Sequence, residues 1–419
     1  MIEKFVLDNG VRVVCEKIPY LRSVSVGIWV GTGSRNEDKT NNGISHFIEH
    51  LLFKGTKNRT AKEIAAAIDS IGGIINASTG KEYTCYYTKT LDTHIDTAVD
   101  VLADMFFNSL FNEKDLNIEK QVIFEEINMY EDTPDDLVHD ILAEVMWDGD
   151  ALSYPVLGTY ESLDKLNRQA IMDYLNNYYF PKNTVIAIAG NYDDKKIEDL
   201  LEKYFTGWKN DKHKTIDYNP VNYNSGVKVK YKDTEQVHLC IGFKGIEYGN
   251  DDLYPLSIIN NILGGGMSSR LFQKIREEKG LVYSIYSYPS AYKNAGAFTI
   301  YAGMKPEQFK EVCRLIMLEI KELVQSGISQ SELEKAKEQL KGNYMLGLES
   351  TYNKMTILGK SELILGRIIT PEEFISKIDQ VTIDQVQKVI EQIFTTEKPC
   401  CVAVGKIKEN IDLASFSEI

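Results

Sequence analysis

The chain has 419 residues, 43% of them hydrophobic and 26% charged. At ~100–200 residues per domain this allows two to four domains with cores of their own, and it excludes a disordered chain, a collagen or a coiled coil. Its 47 Lys and Arg against 61 Asp and Glu leave a formal charge of −14. That balance argues against nucleic acid or an anionic membrane surface as the main partner and permits cationic substrates.

Met1-Ile2-Glu3-Lys4-Phe5-Val6 opens on a strand pattern and does not resemble a signal peptide, and no apolar run approaches the ~20 residues of a membrane-spanning helix. Residues 4–15 read as two strands around the Asp8-Asn9-Gly10 turn, and 23–30 (SVSVGIWV) alternates like a half-buried strand. Helical periodicity follows at 43–54, 60–72, 92–108, 112–131, 134–147 and 167–179, with strands near 74–79 and 83–90. An apolar strand ends at Gly190, and a helix covers 192–205. Residues 208–225 then lose all periodicity and have linker composition. Beyond them come strands at 226–231 and 236–243, helices near 251–263 and 269–278, strands at 281–289 and 296–302, and long helices from 306 to about 366.

The plan therefore occurs twice. Leu166, Ile171, Leu175 and Gly190 precede Val381, Val386, Ile390 and Gly405 by a constant 215 positions, the mark of an internal duplication. The expected architecture is α+β: two similar halves, each an antiparallel-rich sheet packed with helices, spanning 1–210 and 226–419 with a linker at 211–225. The six scattered cysteines contain no CxxC pair, so free thiols in a reducing compartment, the cytoplasm, are expected.

The informative segment is Gly43-Ile44-Ser45-His46-Phe47-Ile48-Glu49-His50. Two histidines four apart on a helix share one face and reach a single ion, and Glu49 lies on the same side. Zinc held by two histidines and a carboxylate, with one position open, suits peptide hydrolysis, and His-x-x-Glu-His is the inverzincin order. Without a third ligand the same residues fit an amphipathic helix with structural histidines. In the helical stretch 117–132, Glu119 and Glu126 share a face while Glu125 points about 100° away, and spacing alone does not choose between ligand and solvated carboxylate. His94, His139, His213 and His238 have no partner at ligand spacing. Glu131 to Asp136 read as a solvated helix junction or as an acidic patch for basic peptides.

His46-Phe47-Ile48-Glu49-His50, followed after 75 residues by Glu126, resembles the pitrilysin-type zinc metallopeptidases, in particular the branch of mitochondrial processing peptidase and bacterial processing-protease homologues. The likeness spans the chain, through LDNGVRVV, SVSVGIWVGTGSRNE, HFIEHLLFKGT, EKQVIFEEINMYEDTPDD and GGGMSSRLFQKIREEKGLVYSIYS. It implies one zinc per chain on His46, His50 and Glu126, with Glu49 as general base toward a zinc-bound water and Glu119 as a carboxylate orienting a ligand. Asn76-Ala77-Ser78-Thr79 resembles an edge strand that pairs with the substrate backbone, Asn76 also reaching a substrate carbonyl. Arg276 and Tyr283 would contact the substrate backbone and the tetrahedral intermediate.

At the 215 offset, His46, His50 and Glu126 fall on Asn261, Gly265 and Lys341, so the second half lacks the metal site. The triplet Gly264-Gly265-Gly266 is not followed by the Gly-Lys-Ser/Thr of a phosphate loop. The resemblance implies a clamp around a peptide chamber, formed by a homodimer in which one subunit's zinc faces the other's Arg276 and Tyr283. The implied function is a zinc endopeptidase of short or unfolded peptides, basic ones included. The competing reading is a catalytically silent scaffold or peptide-binding subunit of the same fold, which would have lost a ligand or the base.

Overall fold

The computed structural model of the chain describes residues 2–210, 213–214 and 216–407. Contacts divide the chain into two compact units, one formed by 1–127, 154–217 and 346–369, the other by 128–153, 218–345 and 370 onward. In the first, β1 (Ile2–Val6), β2 (Arg12–Lys17), β3 (Ser23–Val30), β4 (Ile74–Thr79), β5 (Thr84–Leu91) and β6 (Thr184–Gly190) form a sheet in the order β1-β2-β6-β3-β5-β4. Only β2 and β6 pair in parallel; the other neighbours are antiparallel. In the second, β7 (Val227–Tyr231), β8 (Val237–Lys244), β9 (Val282–Tyr292), β10 (Ala295–Met304) and β11 (Cys400–Gly405) run in the order β7-β11-β8-β10-β9, with β7 and β11 parallel.

Without the β1 hairpin strand, the two orders are the same. Gly190 and Gly405, 215 apart, end equivalent strands at φ 137° and 143°, values that favour glycine. Gly27 of β3 and Gly242 of β8 are also 215 apart, and each admits a methionine. A Cβ on Gly27 would meet Met355 Sδ at 2.4 Å, and one on Gly242 would meet Met146 Sδ at 2.5 Å.

Those methionines lie on helices from distant stretches of sequence. The helix Thr351–Leu365 packs Met355 and Leu358 against Trp29, Val14 and Val185 of the first sheet. The helix Pro134–Met146 packs Leu142 and Met146 with Cys240, Val402 and Val404 of the second. This explains why β3, whose alternation reads as half-buried, has both faces covered: Val24, Val26, Ile28 and Val30 enter the main core, and Trp29 meets the covering helix. All six cysteines are buried and free, and burial raises their pKa values, so they pack as small hydrophobes. The long helices expected from 306 to about 366 are three, separated at Gly327 with φ 65° and at Ser350, whose side chain accepts from Asn353 N. Among the described residues no helix is long and apolar enough to cross a membrane.

The helix Pro134–Met146 carries a half-buried histidine. The Tyr288 hydroxyl and His139 Nδ1 share a hydrogen bond at 2.7 Å, Cys240 Sγ lies at 3.4 Å, and the ring stacks on Tyr301 at 5.3 Å. Burial lowers the His139 pKa to about 4, Asp135 opposing the shift and His238 adding to it. The unfolded chain, with an ordinary histidine pKa, thus binds a proton that the fold refuses. Stability is full above about pH 6.5 and falls as pH drops toward 4, by about 2–3 kcal/mol from this group. The urea midpoint of the wild type should fall further between pH 7 and 4.5 than that of His139→Gln. Equal falls would remove His139 as the cause.

Candidate metal centre

The helix Ile44–Leu52 turns Ile44, Phe47, Ile48 and Leu51 into the core, which leaves His46, Glu49 and His50 on its other face. The two imidazoles meet edge to face, 4.5 Å between centroids. Opposite them, the helix Glu113–Glu131 presents Glu119 and Glu126 from one face. Glu126 Oε2 lies 3.8 Å from His46 Nε2, and Glu126 Oε1 lies 3.6 Å from His50 Nε2. One ligand atom from each of the three residues falls within 4.8 Å of the others, the one such cluster of three among the described residues.

The donor set fits a divalent ion. The nitrogen–carboxylate gaps are too long for hydrogen bonds, yet they are close to the roughly 3.4 Å between ligand atoms on a tetrahedral zinc with ~2.1 Å bonds. Burial, and then His50, push the His46 pKa down to about 3, so its ring is neutral and its lone pair is free for a cation at neutral pH. His50 Nδ1 faces Glu119 Oε2 at 3.2 Å, which fixes that ring with Nε2 toward Glu126. Glu119 is buried, and its other oxygen pairs with Lys54 Nζ at 2.7 Å.

Glu49 accepts a hydrogen bond from the Thr79 hydroxyl. Burial raises its pKa, while the Thr79 bond and His50 oppose the rise. Thr79 ends β4, which pairs only with β5 and is the edge of its sheet. On that strand Asn76 is exposed, its Oδ1 accepting from Ala77 N at 2.8 Å, and Ala77 packs toward the core. Beside its start, Phe53, Ile64, Ile74 and Ile75 line a cleft of about 440 Å³.

Arg276 and Tyr283 lie together in the second unit. The segment Phe272–Glu277 is a π-helix, and from it the Arg276 guanidinium stands 4.7 Å over the Phe272 ring and 5.8 Å from that of Tyr283. Tyr283 is 75% exposed. The positions equivalent to the metal residues hold no metal cluster there: Lys341 pairs with Asp379 and Glu338. At the junction after the glutamate helix, Glu131 pairs with Lys230 and Asp132 faces Lys232, so part of that acidic run is neutralised.

Sequence reasoning passed over four residues around the centre. Lys54 stands one turn beyond His50, a spacing that carried the signal. Thr79 belongs to the strand expected to pair with substrate, and its bond to Glu49 is what the pattern does not mark. Glu37 and Tyr174 anchor the start of the histidine helix from remote positions, and nothing in the local pattern marks them.

Residues 12–160 match the family profile described as insulinase (peptidase family M16), and 165–340 match that of the peptidase M16 inactive domain. The chain is 48% identical over 397 residues to the "uncharacterized zinc protease YmxG" of Bacillus subtilis (strain 168), covering 95% of this chain and 97% of that one. It is 38% identical over 417 residues to the "uncharacterized zinc protease SCO5738" of Streptomyces coelicolor, covering 97% and 90%. Among solved structures it superposes with a TM-score of 0.90 on a protease from Helicobacter pylori, at 23% identity over 97% of this chain and 99% of that one. The chain belongs to peptidase family M16 and has its two-domain α+β fold. The names of its relatives support a peptidase that uses zinc.

Proposed function

We propose that the chain is a zinc-dependent endopeptidase that hydrolyses short or unfolded peptides. The observation that carries this reading is the convergence of His46 Nε2, His50 Nε2 and the Glu126 carboxylate, with Glu49 on the same helix face. One zinc would be held by those three side chains, with Glu119 orienting His50. When bound, zinc supplies a Lewis acid that polarises the scissile carbonyl and acidifies the attacking water. Glu49, whose carboxyl titrates above its ordinary range through burial, takes the proton from that water and returns it to the amine that leaves. The products are a carboxylate and an amine, and no other reactant is needed.

The edge of β4 offers unpaired backbone groups to an extended peptide, with Asn76 beside them and an apolar cleft at one end. Main-chain pairing needs an extended segment, so folded proteins are poor substrates. Tyr283 donates to the developing oxyanion and Arg276 binds substrate carbonyls. Since each chain holds both parts, a homodimer with one subunit's zinc site facing the other's Arg276 and Tyr283 is the proposed assembly. Six unpaired cysteines favour the cytoplasm. A silent scaffold would have lost a ligand or the base, and His46, Glu49, His50 and Glu126 are all present.

Elemental analysis should find about one zinc per chain, in a sample that cleaves a quenched basic peptide and stops when chelated. A metal-free chain that binds the peptide without cutting it would favour the scaffold. For the assembly, Glu49→Gln and Tyr283→Phe chains, each inactive alone, should regain activity on mixing. No recovery would count against a shared site.

A further inference from the structure

The two metal-facing histidines are held differently. His50 has Glu119 at its Nδ1, whereas His46 Nδ1 is buried with no protein group within hydrogen-bonding distance. The His46 ring therefore takes its position from the backbone of the first helical turn. That turn begins at Gly43, in the left-handed region at φ 90°, and Gly43 has no side chain with which to cap the helix. Glu37, from the preceding loop, supplies the missing acceptor. Its Oε2 accepts from Gly43 N at 2.7 Å and from Asn42 Nδ2 at 2.9 Å, and its Oε1 accepts from Ser45 N at 2.9 Å. Ser45, the neighbour of His46, is fixed a second time through its hydroxyl to Tyr174 at 2.8 Å, which is itself bonded to Thr32 at 2.7 Å.

Glu37 is buried, and all three donors are neutral. A carboxylate so placed is costly, and the positive end of a helix is one of the few places that accept it. An asparagine or serine at position 43 would cap the helix more simply, but a Cβ there would meet Leu157 O at 2.7 Å and Gly158 Cα at 2.8 Å. The close passage of 157–158 thus forces glycine at the cap and leaves the capping to a remote side chain.

We infer that Glu37 is a positioning residue of the metal centre: through the amides of Gly43 and Ser45 it sets the first turn and so the placement of His46. The inference rests on His46 being a metal ligand. The test is cobalt(II) and zinc affinity, measured by chelator competition on purified full-length chains at a temperature where circular dichroism shows them folded. Wild type, His46→Ala, Glu37→Gln and Glu37→Asp are compared. Glu37→Gln should bind metal about tenfold more weakly or worse, with an altered cobalt visible band. Glu37→Asp keeps the charge but shortens the reach. It should fall in the same direction, and it serves if Glu37→Gln does not fold. Folded Glu37 variants with wild-type affinity and an unchanged cobalt band, even at a lower melting temperature, would reduce Glu37 to a structural cap and overturn the inference. Wild type and His46→Ala binding metal equally would instead overturn the reading of the centre, and the inference with it.

Discussion

Glu49→Gln should lower kcat by about 10²–10⁴-fold and leave the metal bound. The size follows from the role: glutamine has nearly the shape of glutamate but cannot take a proton from water. Metal retention follows from geometry, because the three converging ligand atoms belong to His46, His50 and Glu126. Thr79 now donates to Glu49, and it can donate equally to the glutamine oxygen, so the side chain keeps its place. KM should therefore move little while kcat collapses, the mark of a group that acts in the transition state. Elemental analysis and steady-state kinetics on one preparation check both halves. Near-normal turnover would remove Glu49 as the base, and loss of the metal would place it among the ligands.

The sequence carried the fold and the centre unequally. The 215-residue offset, drawn from four apolar and glycine positions, holds in three dimensions: Gly190 and Gly405 end equivalent strands, and Gly27 and Gly242 face methionines in equivalent ways. The covering helices were not legible, because Thr351–Leu365 packs on a sheet more than 150 residues away in sequence. Periodicity reports that a helix has an apolar face but not which sheet receives it. At the centre, the four-residue spacing of His46 and His50 announces itself, since a helix brings such pairs together whatever surrounds it. Glu126 required the resemblance to a family, because helical spacing could not separate it from solvated carboxylates. Lys54 follows His50 by one turn and so shares its side, whereas Glu37 acts through contacts set by loop geometry, which no period encodes.

The carboxylates beside the histidines should separate by function when each loses its charge. Glu126→Gln removes a ligand atom and should abolish stoichiometric metal binding at micromolar metal. Glu119→Gln removes a partner of His50 and should weaken binding by about 10–100-fold without abolishing it. Lys54 sharpens the distinction. Its ammonium pairs with Glu119 Oε1 at 2.7 Å, so the carboxylate near the ligands is partly neutralised before any metal arrives. In Lys54→Met a cation that repels the incoming ion is gone, while Glu119 still faces His50 Nδ1. The metal-free protein should then be less stable, because a buried carboxylate has lost its counter-charge. Metal affinity should equal or exceed that of the wild type, because the bound ion restores the charge that was removed. Glu119→Gln is thus expected to weaken metal binding and Lys54→Met not to, although each breaks the same ion pair. If both weakened metal binding alike, the pair would matter for packing, and Glu119 would lose its electrostatic role at the centre.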